Sequence, residues 1–371
     1  MAYWDFIVSS QKLTTHPLAY YLALTTMALN FNSKSILAIL FLLGTCAYEV
    51  TSRTLALEEA SLVQRHERWM ARHARSYKDD VEKANRFKIF KQNLEFIESF
   101  NKAGNRSYKL GLNKFSDMSH EEFKATMLID ANKFVRPATK FPKGNSFGNN
   151  ESLVDAPNSV NWIERGAVTA IRNQHRCGAC WAFSTVAAVE GITQIKTGRL
   201  VPLSEQQLVD CDTTNSGCGG GWPTKAFQYV QEANGLMSES DYPYKGYQQA
   251  TCATTGGYAA ATITGFEQVE QGEDALLQAV SNQPVSIIIS LDGYELQHYG
   301  SGVFANDCGS GSLHAITVVG YDVTMEGDKY WLVKNSWGTT WGENGYIKMA
   351  RDMVEGGLCG LAKMASYPTI D

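Results

Sequence analysis

The chain of 371 residues predicts an α+β protein with two lobes, preceded by a mainly helical segment. Within residues 156–371, helical patterns come first and strand patterns follow, which is the order typical of α+β domains. Ahead of them, residues 58–101 contain almost no glycine or proline, as a long helix requires. The composition, 44% hydrophobic and 19% charged, is that of a folded globular protein, and no basic and aromatic stripe indicates nucleic-acid binding.

The first residues predict entry into the secretory pathway. An apolar run at residues 35–47 follows a lysine and ends in small residues, as in a signal peptide cleaved near Ala47. The run is too short for a comfortable transmembrane span. Because a signal normally begins close to the initiator, we expect translation to start at Met27, with residues 1–26 as a gene-model extension and residues 27–47 as the signal peptide.

The segment that follows the signal is predicted to be mainly helical. Ser61 and Gln64 have the spacing of a capping box, which predicts a helix start. Residues 108–119 alternate apolar and polar side chains, like a short strand that ends in a turn. Between these two stretches, apolar residues recur three and four positions apart, as on one face of a long helix. This face comprises Phe87, Phe90, Leu94 and Ile97.

A linker is predicted between the helical front and the cysteine-rich body. Residues 136–155 are rich in proline, glycine and asparagine without periodicity, as in exposed stretches that proteases cut. Before Ala156 the chain holds 21 Lys and Arg against 16 Asp and Glu, and from there on 12 against 22. A basic segment therefore precedes an acidic body.

Two N-x-S/T sequons make Asn105 and Asn150 glycosylation candidates.

The body is predicted to start with helices and to end with strands. Helical spacing covers residues 180–198, 203–210 and 224–232, and the first of these ends at a lysine and a glycine. Apolar strand patterns cover residues 284–291, 314–321, 329–337 and 345–351. We expect the functional site in the cleft between the two lobes.

Two cysteines in the segment NQHRCGACWAFS, residues 173–184, allow three chemistries. A redox pair is disfavoured because the chain is predicted to be secreted and holds five further cysteines after this pair, a setting that favours bridges. Zinc is disfavoured because no second C-x-x-C or H-x-x-x-H partner exists. A cysteine nucleophile is favoured. Seven of the eight cysteines lie at or beyond Cys177, so at most three bridges form among them and one thiol is left over.

Cys180 is the candidate nucleophile. It begins a predicted helix, so its sulfur would lie near the positive end of the helix dipole, which favours the thiolate. His314, at the start of an apolar strand, is the candidate base. Asn335 could accept the imidazole N–H and orient the ring, and Trp337 and Trp341 could keep that hydrogen bond dry.

The remaining site residues follow from the same chemistry. Gln174 carries an amide NH₂ group six residues before the nucleophile, and with the backbone N–H of Cys180 it could stabilise an oxyanion. His175 lies on the nucleophile's own segment, and His298 has no evident orienting partner. We therefore expect neither histidine to be the base, and we expect His298 to be a surface or core residue.

These residues resemble the papain family of cysteine proteases. The family signature C-G-[SA]-C-[WY] is followed by His and Asn about 130 to 150 residues later; here His314 follows Cys180 by 134 residues and Asn335 by 155. The resemblance runs from Arg53 to the end and is strongest to the plant, bromelain-like branch. It implies a papain-like fold, with a helical lobe and a β-barrel-like lobe, and a cysteine endopeptidase that needs no cofactor or metal. Further matching motifs are LSEQQLVDC, GCGGGWP, DYPY, NQPVS, HAITVVGY and KNSWGTTWGENGY.

The front half resembles the inhibitory pro-domain of the family, which lays a segment backwards through the cleft. The resemblance implies a pro-domain at residues 48–135, an activation linker at 136–155 and the mature enzyme at 156–371. Because protonated carboxylates attract a basic segment less, we expect self-activation at mildly acidic pH, with cleavage between residues 143 and 155. The matching motif residues are Glu82, Arg86, Phe90, Asn93, Ile97 and Asn101, then Gly111, Asn113, Phe115 and Asp117.

The resemblance also implies three disulfides and a substrate cleft. Gly220 and Gly221 correspond to glycines whose backbone pairs with an extended substrate. The pocket for the side chain before the cleaved residue is apolar, so we expect aliphatic or aromatic side chains there. Its residues are Trp222, Pro223, Ile288, Ala315 and Met364. The implied disulfides are Cys177–Cys218, Cys211–Cys252 and Cys308–Cys359, which leave Cys180 as the free thiol.

Three positions depart from the family pattern. His175 stands where most relatives have glycine, and Arg176 where they have a small or polar residue. These cations could broaden activity at acidic pH or simply lie in solvent, and the second interpretation is favoured. Leu313 replaces the usual Asp or Asn before the catalytic histidine, which removes a polar neighbour and would alter the pH profile.

The implied partners are protein and peptide substrates, the enzyme's own pro-domain and cystatin-type inhibitors. No nucleic acid and no membrane are expected for the mature form, which is expected to be a monomer. The implied location is the secretory pathway, with vacuole or lysosome and extracellular space both open. Two other functions stay open: a catalytically weak storage or defence protein, and a peptide ligase, which shares this chemistry but differs in the access of water.

Overall fold

The computed structural model describes residues 33–132, 156–254, 258–306 and 308–371. The predicted extension at 1–26, the linker at 136–155 and the sequon at Asn150 lie outside these residues. The chain divides into two units, residues 1–76 and 77–371.

The described part of the first unit contains one helix, α1 (Ser33–Arg72). It runs through Ser61 without interruption, so the helix start predicted there is wrong. The residues around it are mostly strong helix formers without proline, and nothing ends the helix ahead of that position. None of the helices in the described ranges combines the length and hydrophobicity that a membrane span requires.

The second unit begins with a small helical subdomain. It contains α2 (Asp80–Lys102), β1 (Tyr108–Leu110), α3 (His120–Met127) and β2 (Ile129–Asp130). Residues 58–101 do not form a single helix, because the chain leaves α1 after Arg72 and Asp79 caps a new helix by accepting the N–H of Glu82. The predicted apolar face of α2 is buried at Phe90, Leu94 and Ile97 and half-buried at Phe87.

The helical lobe of the body packs around α4 (Cys180–Thr197). This helix is buried from Cys180 to Thr193 and ends at Gly198, whose φ of 72° is left-handed. It contacts α5 (Glu205–Cys211) and α6 (Pro223–Glu232). The three helices predicted in this region are present, with bounds that shift by at most two residues.

The second lobe is built on a sheet with the strand order β1-β6-β9-β8-β7-β5-β10-β4, in which β2 and β3 also pair with β7. All four strand regions predicted for the body form strands here. The strands are β3 (Val160–Asn161), β4 (Gly265–Gln268), β5 (Val285–Leu291), β6 (Tyr299–Phe304), β7 (Ser312–Val323), β8 (Lys329–Lys334), β9 (Tyr346–Ala350) and β10 (Ala365–Thr369). Two further helices are α7 (Glu273–Asn282) and α8 (Tyr294–Gln297).

Three disulfides brace the body. The structure joins Cys177 to Cys218, Cys211 to Cys252 and Cys308 to Cys359, which are the pairs that the resemblance implies. Among the cysteines of the described part of residues 156–371, Cys180 is the free one, and it is buried.

A buried ionic cluster lies between the start of the body and the helical lobe. The Arg172 guanidinium contacts carboxylates of Glu190 at 2.9 Å, Glu205 at 2.5 Å and Glu239 at 2.8 Å. The side chains of Glu190 and Glu205 are only 1% and 3% exposed. These carboxylates therefore depend on Arg172, since isolated buried charges are strongly unfavourable.

We expect Arg172→Met to lower the free energy of unfolding by about 3–5 kcal/mol, because it removes the guanidinium that contacts two buried carboxylates and leaves Lys334 as the cation nearby. The measurement is urea unfolding of the full precursor carrying Cys180→Ala, which prevents self-digestion. Lys329→Met, in an exposed pair with Asp352, is the matched control and should cost less than about 1 kcal/mol. Equal losses in the two variants would contradict the argument.

Candidate active site

Cys180 is the first residue of α4, and the turn before it is held to the helical lobe. Gly178 N donates to Cys218 O at 2.9 Å, next to the disulfide of Cys177 with Cys218. A Cβ at Gly178 would lie 2.6 Å from that carbonyl oxygen, so only glycine allows this approach. The local sequence thus positions the sulfur at a helix start through one disulfide and one glycine.

The Cys180 thiol is fully buried in this structure. Burial raises its pKa to about 11, against the opposing effect of hydrogen bonds from the backbone N–H groups of Ala315, Trp181 and Cys180 itself. The helix start suggested a lowered pKa, but loss of water outweighs the helix dipole here. The contact with Ala315 places the sulfur beside the residue that directly follows His314 in β7.

His314 lies in β7 and is 1% exposed. Its Nε2 is 2.8 Å from Asn335 Oδ1, and because an amide oxygen only accepts, the ring donates from Nε2. Burial lowers the pKa of His314 to about 4, although the bond to Asn335 opposes this shift. The neutral ring therefore has an unprotonated Nδ1, for which the described residues provide no hydrogen-bond partner.

Asn335 and two tryptophans enclose the imidazole. Asn335 follows β8, and its Oδ1 also accepts the N–H of Ser336 at 2.8 Å. The Trp337 ring stacks on His314 with 4.6 Å between centroids, and Trp341 meets Trp337 edge to face at 4.8 Å. Both indoles are fully buried, so the bond between His314 and Asn335 is kept from water.

Gln174 is fully buried and is tied to the same loop by Ser336. Its backbone N–H donates to Ser336 O at 2.8 Å, and its Oε1 accepts the Ser336 hydroxyl at 2.6 Å. Its Nε2 donates one proton to Cys177 O at 3.0 Å, and the amide has a second proton to offer. Ser336 was missed from the sequence, where only its position directly after Asn335 could have indicated it.

The three departures from the family pattern have different surroundings. His175 is exposed, has a left-handed φ of 55° and stacks 6.5 Å from Tyr244. Partial loss of water around the ring, and then the nearby Lys114, lower the pKa of His175. Arg176 is exposed, and Leu313 is buried opposite Ile129. His298, expected at the surface or in the core, is a fully buried core residue.

A cavity of about 390 Å³ contains most of the implied pocket residues. Trp222, Pro223, Ile288 and Met364 line it, and Ala315 is buried in the same apolar cluster as Trp222 and Ile288.

The two implied glycines lie beside this cavity, where α6 begins. Gly220 has a φ of 118°, and a Cβ at Gly221 would lie 2.7 Å from the Trp181 ring. Neither position accommodates a side chain, and both glycines are buried in this structure.

The N-terminal subdomain lies across the site. β2 pairs antiparallel with β7, so that Ile129 faces Leu313 and Asp130 faces Ser312. Ile129 is 5% exposed and packs in the apolar cluster that contains Cys180. This segment therefore contributes to the burial of the thiol.

The predicted pro-domain residues hold this subdomain together and attach it to the body. Within it, one ion pair joins Arg86 to Glu122 at 2.7 Å, and Phe90 and Ile97 are buried. Two asparagines bind backbone groups: Asn93 donates to Ser116 O and Met118 O, and Asn101 pairs with the backbone of Leu110. Two carboxylates accept hydrogen bonds, Glu82 from Lys78 N and Asp117 from the Tyr77 hydroxyl. Toward the body, Gly111 N donates to His298 O, Asn113 donates to Gln297 O and Phe115 packs 5.6 Å from Trp337. Asn105 is exposed in the loop between α2 and β1, with a φ of 54°.

Together these contacts define a cysteine-nucleophile site between two lobes, covered by an N-terminal segment of the same chain. Residues 156–369 match the papain family cysteine protease domain, and residues 66–123 match the cathepsin propeptide inhibitor domain. The chain belongs to the papain family of cysteine proteases and carries an inhibitory propeptide. The predicted family, fold class and enzyme class are confirmed.

Plant proteases and a plant precursor structure are similar along nearly the whole chain. A senescence-specific cysteine protease, SAG39, from Oryza sativa subsp. indica is 45% identical over 337 residues, covering 90% of this chain and 97% of that protein. Vignain from Phaseolus vulgaris is 46% identical over 326 residues, covering 87% and 89%. The structure of a recombinant stem bromelain precursor has a TM-score of 0.77 at 43% identity, covering 84% of this chain and 99% of that one.

Proposed function

We propose that the mature part of this chain is an endopeptidase that cleaves peptide bonds through Cys180 and His314. The observation that carries the proposal is the 2.8 Å contact of His314 Nε2 with Asn335 Oδ1 beneath Trp337. This contact leaves Nδ1 as the ring atom that can take the thiol proton. The sulfur of Cys180 is hydrogen-bonded by the backbone N–H of Ala315, the residue that directly follows His314.

The first half of the reaction forms an acyl-enzyme. His314 Nδ1 takes the proton of Cys180, and the thiolate attacks the substrate carbonyl carbon. The negative charge that develops on the carbonyl oxygen is stabilised by the second Gln174 amide proton and the Cys180 backbone N–H. When the carbon–nitrogen bond breaks, His314 donates its proton to the leaving amine and a thioester remains.

The second half releases the acid and restores the enzyme. His314 takes a proton from water, and the hydroxyl attacks the thioester carbonyl through the same oxyanion site. The carbon–sulfur bond then breaks and the proton returns to the sulfur. Throughout, Asn335 acts as a positioning residue that keeps the Nε2 proton away from the reacting atoms.

The precursor is inactive in this proposal because its own segment occupies the site. Removing β2 from Cys180 and Leu313 would readmit water, which favours the charged thiolate and imidazolium pair. Acidic pH would promote this release, with cleavage in the 136–155 linker. The basic front and acidic body support an acid-dependent contact.

Specificity, location and further partners complete the proposal. The apolar residues Trp222, Pro223, Ile288 and Met364 around the 390 Å³ cavity support aliphatic or aromatic side chains before the cleaved residue. The apolar run at residues 35–47 supports passage through the secretory pathway, to a vacuole, a lysosome or the outside of the cell. Cystatin-type inhibitors and a monomeric mature form are part of the same proposal.

We expect a thiol alkylator to label the acid-processed protein once, at Cys180, and to abolish casein hydrolysis, because the other cysteines of the described body are in disulfides. Peptide mapping of the label and residual activity are the measurements. Intact precursor is the matched control and should react slowly, since its thiol is buried. A protein that takes up the label but never hydrolyses casein would be a storage or defence protein. Transfer of the acyl group mainly to an added amine, with little hydrolysis, would indicate a ligase.

A further inference from the structure

The cavity next to the active site has an apolar entrance and a polar far wall. Trp222 and Pro223 line it from the start of α6, Met364 from the residue before β10, and Ile288 from β5, where it pairs with Ala315 beside His314. Further from His314, where Ser286 pairs with Thr317, the wall is formed by residues of β4, β5 and β10. At about 390 Å³ the cavity is large enough for a big side chain, in the range typical of ligand pockets.

The far wall contains three polar residues side by side across three strands. Ser366 of β10 pairs with Ser286 of β5 on one side and with Gln268 of β4 on the other. Residues directly opposite each other in antiparallel strands project to the same face of the sheet. All three residues line the cavity, so we call Ser286, Ser366 and Gln268 the polar rung.

Two members of the polar rung have hydrogen-bonding capacity to spare. The Ser286 hydroxyl already pairs with Ser184 Oγ at 2.6 Å. Within the described residues, no side-chain hydrogen bond is formed by Ser366, which is only 3% exposed, or by Gln268, which is half-buried. Buried polar groups nearly always find a partner, so a hydroxyl and an amide that border a cavity without one are suited to a ligand.

The charges at the rim indicate that this ligand group is neutral. Glu270 and Lys363 both line the cavity and both are exposed. One charge of each sign, both exposed to water that screens them, gives the cavity no strong preference for an acidic or a basic side chain. An apolar entrance combined with a neutral polar wall fits a side chain with a ring body and a hydroxyl tip.

We propose that this cavity selects tyrosine before the cleaved residue, with the phenol hydroxyl bound by Ser366 and Gln268. The inference rests on the proposed function and names the substrate that the same site prefers. Phenylalanine would fill the entrance equally well but would leave both polar groups unpaired, which disfavours it.

The test compares peptide substrates that differ only at this position. The acid-processed enzyme is assayed with three matched fluorogenic peptides carrying leucine, phenylalanine or tyrosine there. We expect kcat/KM for tyrosine to exceed that for phenylalanine about fivefold, the value of one neutral hydrogen bond. In the double variant Ser366→Ala with Gln268→Leu, the ratio should fall to about one.

The readout is the ratio of kcat/KM for the tyrosine peptide to kcat/KM for the phenylalanine peptide. Hydrolysis of the leucine peptide shows that each variant is folded and active. Thr224→Val is the matched control, because Thr224 lines the cavity from α6 and lies off the polar rung, so the ratio should stay high. Equal rates for phenylalanine and tyrosine in the unaltered enzyme would overturn the inference, as would a high ratio in the double variant. If no peptide is hydrolysed, leucine included, the proposed function itself fails. If the double variant does not fold, Ser366→Ala alone must at least halve the ratio.

Discussion

Cys180→Ala is expected to lower kcat/KM for peptide hydrolysis by at least about 10⁴-fold, because no other group can form the thioester. The variant cannot process itself, so the precursor is matured in trans by a trace of active enzyme that is then removed. Activity is measured with a fluorogenic peptide and compared with the unaltered enzyme at equal protein concentration.

His175→Ala is the matched control for this prediction. His175 lies five residues before the nucleophile and is exposed, and its ring stacks on Tyr244. We therefore expect its loss to change kcat/KM by less than about threefold, as for a surface substitution. A deep loss in His175→Ala, or substantial hydrolysis by Cys180→Ala, would refute the assignment of nucleophile and base.

His298→Phe is expected to make the precursor more resistant to acid. His298 is fully buried where the pro-domain meets the body, and within the described residues both ring nitrogens lack a hydrogen-bond partner. Burial, with a smaller effect of His120, lowers the pKa of His298 to about 3. Once the pro-domain leaves, exposure should restore the ordinary histidine pKa of about 6.5.

The sign of the pH effect follows from this difference. The released state binds a proton more readily than the docked state, so the docked state loses stability as pH falls. Above pH 6.5 this titration does not weaken the affinity of the pro-domain for the body. Between pH 6.5 and about 3 the affinity falls about tenfold for each pH unit. Phenylalanine keeps the packing and removes the titration, so we expect the pH midpoint of processing to fall by about one unit.

The other charged groups around His298 are already engaged. On the pro-domain side, His120 Nε2 is 3.0 Å from Asp292 O, and Lys124 pairs with the Asp292 carboxylate. On the body side, Glu295 accepts hydrogen bonds from Tyr108 and Asn306. These partly exposed contacts should weaken in salt, whereas a buried histidine should be far less sensitive.

The experiment therefore follows processing of the intact precursor from pH 3 to pH 7, at low salt and at high salt. The appearance of mature enzyme on a gel gives the midpoint. The shift caused by His298→Phe should be the same in both salts. An unchanged midpoint would mean that carboxylates of the basic and acidic halves, not His298, govern release.

Sequence reasoning selected the proposed reacting groups because each has a local signal. Cys180 begins a helix and is the odd thiol in a set of seven, and Asn335 lies between a strand and two tryptophans. The fold class followed from the order of helical and strand patterns. The helix start at Ser61 failed because capping signals compete with the helix propensity of their neighbours, which is strong there.

The sequence by itself determined the family, and it indicated Cys180, His314 and Asn335 as the proposed nucleophile, base and orienting residue, because these depend on residue type and spacing. Only the tertiary structure decided their protonation: burial holds Cys180 and His314 neutral in the precursor, against the direction that the helix start indicated. It also decided which distant residues meet, as in the polar rung of Ser286, Ser366 and Gln268. Desolvation and strand register depend on contacts between segments far apart in the chain, and a local pattern carries no record of either.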